Sequence, residues 1–249
     1  MPVTSFSPTK TGQVSDARVE AESLCRQIAA RDLGETPLYI VPQSRLPMDL
    51  GGRSVCDGYT TASLDLYLRE QIGVGWRGRG PCMVINDIAL GKETDPRDFQ
   101  HAFLAVSVHE LAHILERPTL FYVREEVTAT TLRSEAVRVA TTVSSDPLPE
   151  DKPLPFTGHG ARFILTALHL LHRADMAGTH IAAAPVCAGD NYCLSHAERY
   201  RHALGEDPQQ FANLTFAEIH QIDPPAAFAA LWEADVTSWF GDKPVGRTV

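Results

Sequence analysis

Two histidines and a glutamate stand in the middle of the chain at a spacing that suits a metal ion: His109, Glu110 and His113 form an H-E-x-x-H motif. Residues four apart in a helix lie on one face, one turn apart, so both imidazoles can bind the same ion. Zinc binds imidazole nitrogen at about 2.0 to 2.1 Å, and two such ligands leave room for a third protein ligand and a water. The motif therefore predicts one Zn²⁺ per chain.

The glutamate of the motif indicates hydrolysis rather than a structural zinc site. A bound zinc ion lowers the pKa of its water toward about 7 and polarises a carbonyl, and Glu110 beside that water would accept its proton. Glu110 would then return the proton to a leaving amine. Structural zinc sites need no such carboxylate and favour four protein ligands, often cysteines. We therefore expect a zinc metallopeptidase whose partner is a protein or peptide substrate.

Apolar residues surround the motif at helical spacing. One stripe combines the two histidines with Phe99, Ala102 and Val106, and a second contains Leu104, Val108, Leu111 and Leu115. The motif helix is therefore expected to be buried on two sides. Burial of two histidines and a glutamate costs several kcal/mol unless they are paired or bind a metal, which favours a metal site over a polar core cluster.

A third ligand must come from outside the motif, because Glu116 and Thr119 stand where the H-E-x-x-H-x-x-G-x-x-H pattern has its glycine and last histidine. His159 is the favoured candidate, since it lies four residues before Phe163 on the apolar face of a predicted helix. The alternatives are Glu126 and Glu125, which would make the protein a gluzincin-like regulatory peptidase. Only 12 residues separate His113 from Glu126, a short distance in which a helix must turn back.

The segment HELAHIL, followed by H-G-x-x-F at the start of a helix, resembles the SprT-like zinc metallopeptidases. The resemblance covers about residues 82–175 and implies an α+β zincin domain. It also implies zinc on His109, His113 and His159, with Glu110 as the general acid/base. Two features depart from the family pattern: 45 residues lie between His113 and His159, and the family's C-terminal four-cysteine zinc module is missing.

Further polar residues have less specific patterns. Tyr122 and Arg162 are candidates to stabilise an oxyanion, because hydroxyl and guanidinium donors suit that role. His169 and His172 form an H-x-x-H pattern, which is expected to lie on a solvated helix face rather than to bind a second metal. The alternative function from another class is a non-catalytic zinc-binding or zincin-like interaction protein of a mobile element, which would keep the motif for stability.

The elements that position these residues follow from apolar periodicity and from helix start and stop signals. Helices are predicted at about 15–30, 94–117, 122–143 and 159–175, and helical stretches around 195–203, 215–221 and 225–240. Strands are predicted at 37–41 and 82–90, the second as an edge strand that borders the cleft and could bind an extended peptide. Gly178 is the expected end of the helix after His159.

The predicted fold class is α+β: a zincin-like metallopeptidase domain at 15–178, with a small mixed sheet and an HExxH active-site helix, followed by a helical C-terminal extension at 179–249. Residues 1–14 are expected to be a flexible tail, and the proline- and acid-rich residues 144–155 a flexible loop.

Composition narrows the setting in which the protein works. The formal net charge of −9 and the pI near 5.5 argue against direct nucleic-acid binding, which needs clustered basic residues. The chain has no run of 18 or more apolar residues and no signal-like N-terminus, so no membrane association is expected. The five scattered cysteines do not suggest a disulfide framework, and a cytoplasmic location is the simplest prediction.

Overall fold

The structure is a computed structural model, and it describes residues 8–46, 58–60, 64–93, 95–116, 159–187, 197–206 and 208–240. This part of the chain is mostly helical and contains one small sheet, which agrees with the predicted α+β class. None of its helices is long and apolar enough to cross a membrane.

Three short strands form the sheet: β1 (Tyr39–Pro42), β2 (Gly58–Thr60) and β3 (Cys82–Ile85). The order is β1-β3-β2, with β1 parallel and β2 antiparallel to β3. The prediction that the second strand lies at the edge is therefore wrong, because β3 is the central strand. Within the described part of the chain, β2 pairs on one side only and lies against the motif helix.

The helices surround this sheet. In chain order they are α1 (Pro8–Ile28), α2 (Ala30–Leu33), α3 (Leu64–Tyr67), α4 (Arg69–Ile72), α5 (Asp87–Glu93), α6 (Pro96–Glu116), α7 (Ala161–Met176), α8 (Ala183–Cys187), α9 (Ala197–Leu204), α10 (Pro208–Phe211), α11 (Phe216–Ile219) and α12 (Ala226–Phe240). Short 3₁₀ turns lie at Gln43–Arg45 and Gly73–Gly75.

Side chains of the sheet alternate between two apolar cores. Ile40, Met83 and Ile85 belong to the main core with α1, α6 and α7, which pack on one another. Tyr39, Val41, Cys82 and Val84 face the other way and pack with Leu64 and Leu68. Because both faces of the sheet are covered at β1 and β3, these two strands consist of continuous apolar residues rather than an alternating pattern.

Most predicted helices and strands are confirmed, and local sequence signals explain where several of them begin or end. The helices around 94–117 and 159–175 correspond to α6 and α7, and Gly178 follows α7 with φ +83°, the left-handed conformation that glycine favours. The strand predicted at 82–90 ends at Ile85, because the Asn86 Oδ1 atom accepts the Ala89 backbone N–H (3.0 Å) and starts α5.

Two further expectations concern the first helix and the chain division at residue 178. The first helix was expected to begin at about residue 15, but α1 begins at Pro8. The main core runs without a break across residue 178, because it includes Ile181 and Tyr200 together with residues of α1, α6 and α7. The predicted helix at 122–143 and the loop at 144–155 lie outside the described residues.

The turn before β3 requires a residue without a side chain at position 80. A Cβ atom built on Gly80 would lie 1.9 Å from the Pro37 carbonyl oxygen, whereas a Cβ on Gly75 would have no heavy atom within 4 Å. We expect Gly80→Ala to lower the free energy of unfolding by about 1–3 kcal/mol, because the backbone beside β1 must shift. Gly75→Ala is the matched control, with an expected change within about 0.5 kcal/mol. Urea unfolding measures both, and equal effects would contradict this packing.

Candidate metal centre

Three histidines from two elements meet at the packed surface between α6 and α7. His109 and His113 lie one turn apart on α6, and His159 lies just before α7. The two helices pack against each other, so residues that are far apart in sequence meet at one point. The structure therefore brings the predicted third ligand to the two histidines of the motif, and these three residues could hold a metal ion.

The distances between the ring nitrogens suit a single shared ion. The Nε2 atom of His109 lies 3.2 Å from Nε2 of His113 and 3.3 Å from Nε2 of His159. Two nitrogens that each lie about 2.05 Å from one zinc ion at a tetrahedral angle are about 3.3 Å apart. The three ligand atoms all lie within 4.8 Å of one another, and the three residues are partly exposed. The residues present therefore fit a tetrahedral ion with one position left open.

The protonation of His109 supports the same interpretation. Its Nδ1 atom lies 2.9 Å from the Val186 carbonyl oxygen, which can only accept, so Nδ1 carries the proton. Burial, together with the charge of His159, lowers the pKa of His109 to about 4, so the ring is neutral and its Nε2 atom has a bare lone pair. One lone pair cannot accept a good hydrogen bond from two neighbours at once, whereas a cation between the three rings would satisfy it.

Phe163 packs against all three imidazole rings of the cluster. Its side chain is fully buried, and its ring centroid lies 5.0 Å from His109, 4.4 Å from His113 and 4.7 Å from His159. Contacts at these distances restrict the ring orientations. Phe163 is the apolar residue four positions after His159 that indicated an inward-facing histidine. It contacts all three histidines of the cluster.

The remaining residue of the motif, Glu110, lies in a dry environment. Its side chain is only 3% exposed, and burial raises the pKa of this carboxyl group to about 8. A divalent cation nearby would favour the ionised form and oppose this shift. A carboxyl group with its pKa near neutrality can both accept and donate a proton at working pH.

The other candidate site residues have different outcomes. Glu125, Glu126 and Tyr122 lie outside the described residues, so the rival ligands and the tyrosine stay predictions. Arg162 is exposed near the start of α7, and its guanidinium donates to the Nδ1 atom of His220 (2.8 Å). Its role as an oxyanion stabiliser also stays a prediction.

Sequence reasoning did not find His220, which closes a small hydrogen-bonded ring on α7. Its Nε2 atom donates to the Thr166 hydroxyl (2.9 Å), and that hydroxyl donates to the Arg162 carbonyl oxygen (2.8 Å). No motif marks this residue, because its partners come from a helix more than fifty positions earlier. The ring fixes the orientation of the Arg162 guanidinium through a residue of the C-terminal extension.

The second histidine pair differs from its prediction. His169 was expected on a solvated face, but it is only 3% exposed and its Nδ1 atom contacts the Glu206 carboxylate. His172 lies 3.6 Å from the same carboxylate. The expected polar face is covered because Glu206 and Phe211 lie over it, with the Phe211 ring centroid 5.1 Å from that of His169. Among the described residues, only His109, His113 and His159 bring three ligand atoms close enough for a metal.

The His220 ring makes stability depend on pH. Burial and the neighbouring charge of Arg162 lower the pKa of His220 to about 4, below the value near 6.5 of an unfolded histidine. The unfolded chain therefore binds a proton first as pH falls, and the stabilisation present above pH 6.5 is lost between about pH 6.5 and 4.

We expect wild type to lose about 1 kcal/mol more unfolding free energy than His220→Gln between pH 7 and pH 5, a figure already reduced because the half-buried ring is screened by water. Glutamine can still accept from Arg162 and donate to Thr166. His202→Gln, at an exposed histidine on α9, is the matched control. Urea unfolding at both pH values measures the difference, and equal slopes in wild type and His220→Gln would disprove it.

The chain matches no protein-family model, no curated protein and no solved structure. The similarity to SprT-like peptidases therefore stays a prediction from the two motifs that carry it. What the protein does is inferred below from the chemistry of its own residues.

Proposed function

We propose that the protein is a zinc-dependent metallopeptidase of the zincin type, with one zinc ion on His109, His113 and His159. The observation that carries this proposal is the convergence of three Nε2 atoms, with spacings of 3.2 and 3.3 Å around His109, beside the helix that also bears Glu110. The rival ligand Glu126 is not required by this geometry, because three histidines already provide the number of protein ligands that catalytic zinc sites use.

The chemistry of the donor set favours zinc over other common ions. Imidazole nitrogens suit zinc, copper, iron and nickel, whereas magnesium and calcium prefer oxygen ligands. Three histidine nitrogens in tetrahedral spacing, with a fourth position for water, are typical of catalytic zinc. The partial exposure of the three histidines leaves an approach for a substrate.

A zinc ion in this site would supply Lewis acidity to a substrate carbonyl and to the attacking water. Glu110 would accept a proton from the attacking water and later donate it to the leaving amine. Because the carboxyl group is almost fully buried, bulk water does not compete for its proton. The ring of Phe163 contacts the three imidazoles and restricts their orientations.

The substrate is proposed to be an extended peptide that pairs with β2. This strand lies against α6, the helix that carries His109. Within the described residues, its second side has no paired strand. A peptide added there would continue the sheet by main-chain hydrogen bonds, next to the helix that carries two of the metal ligands. Peptide binding at a sheet edge was predicted for β3. Because β3 is the central strand, we now propose β2 as the binding strand.

Metal content and hydrolysis together test the proposal. We expect about one zinc per chain in wild type and in Glu110→Gln, and loss of zinc in His159→Ala, because one of three ligands is gone. Glu110→Gln should reduce peptide hydrolysis by at least about 100-fold while keeping zinc, since only the proton acceptor is removed. Elemental analysis gives the metal content, and mass spectrometry of a digested peptide library gives the activity.

His101→Ala serves as the matched control, because His101 is an exposed histidine on the same helix. This variant should keep both zinc and activity. A folded, zinc-supplemented wild type without bound metal would disprove the metal site. Zinc bound normally, with no hydrolysis of any peptide, would instead support the non-catalytic alternative.

A further inference from the structure

We propose that the backbone carbonyl of Val186, on α8, is a positioning group that fixes the orientation and the tautomer of His109. The docking of α8 therefore sets the metal affinity of the site. This inference rests on the proposed metal binding, and it assigns a role in that site to the segment after Gly178.

The contact joins two parts of the chain that the sequence does not relate. His109 Nδ1 lies 2.9 Å from the Val186 carbonyl oxygen, 77 positions later in the chain. The carbonyl is free to accept because the last four carbonyls of a helix have no donor within the helix, and α8 is only five residues long. The imidazole thus provides a donor that the end of α8 needs.

The hydrogen bond determines which nitrogen of His109 faces the other two histidines. With the Nδ1 proton held by a carbonyl, only Nε2 has a lone pair for a metal, and Nε2 is the atom that lies 3.2 and 3.3 Å from its two neighbours. Metal-bound histidines commonly donate their second ring N–H in this way, which fixes the ring and increases its basicity. Loss of such partners typically weakens metal binding about 10- to 100-fold.

Close packing keeps the carbonyl in place. α8 packs against both α6 and α7, and the side chains of Ala183, Val186 and Cys187 are fully buried. At the other end of α8, the Ala183 backbone N–H donates to the Glu198 carboxylate (3.3 Å) on α9. The Tyr200 hydroxyl of α9 in turn donates to Asp235 of α12 (2.9 Å). A continuous series of contacts therefore connects His109 with the C-terminal helices.

The first experiment is nitrogen NMR of wild-type protein loaded with Zn²⁺ and labelled with ¹⁵N-histidine. We expect His109 to show a metal-bound Nε2 and a protonated Nδ1 whose hydrogen exchanges slowly with water. The resonance is assigned by its loss in His109→Asn. A fast-exchanging Nδ1 proton, or zinc on Nδ1, would overturn the inference, and a purely structural role of α8 would not produce the slow exchange.

The second experiment moves α8 without changing any ligand. Ala183→Leu introduces a larger side chain into a filled core and should displace the helix, lowering Zn²⁺ affinity at least about 10-fold in competition with a chromophoric chelator. Ala182→Leu is the matched control, because Ala182 is exposed and one residue away. Its affinity should equal that of wild type. Unchanged affinity in a folded Ala183→Leu protein would overturn the inference.

The outcomes separate this inference from the proposed function. If wild type binds no zinc, the metal centre itself is disproved, and the role of Val186 with it. If wild type binds zinc but the Nδ1 proton of His109 is unprotected, only the positioning role is disproved. If Ala183→Leu does not fold, the NMR measurement on wild type still decides.

Discussion

The convergence of three imidazoles at one point is the constraint on which the arrangement of the chain depends. The single lone pair on the His109 Nε2 atom cannot accept two good hydrogen bonds at once, yet two ring nitrogens lie close to it. The Nε2 atoms of His113 and His159 both face His109 at 3.2 to 3.3 Å. The three imidazoles are kept in this arrangement by the packing of α6 against α7, by the ring of Phe163 and by the carbonyl acceptor of Val186.

The main core provides the rigidity that such a cluster needs. α6 is 21 residues long and packs against the sheet, α1, α7 and α8, so the motif histidines stand on an element held from several directions. The C-terminal extension contributes to the same support. Arg173 of α7, with a side chain 10% exposed, lies 3.6 Å from Asp32 and donates to the carbonyls of Ile28 and Leu214. This buried cation ties the beginning of the described chain to its C-terminal segments.

A comparison of the two histidine clusters shows how the same residue type takes different roles. His169 and His172 both face the carboxylate of Glu206. In the cluster at α6, the close neighbours of the His109 Nε2 atom are other nitrogens. Buried ionisable groups need a partner of opposite charge or a metal. The first cluster places a carboxylate beside its imidazoles, and the second fits a cation.

The sequence by itself determined the helices of the site, the spacing of His109, Glu110 and His113, and the inward direction of His159, because these follow from helical periodicity and from the apolar position of Phe163. Tertiary structure decided the rest. It buried His169 beneath Glu206 and Phe211, and it placed the carbonyl of Val186 against His109. A backbone carbonyl has no signature in the amino-acid sequence, since every residue carries one. Its role arises only when packing brings a donor 77 positions away to the open end of a short helix.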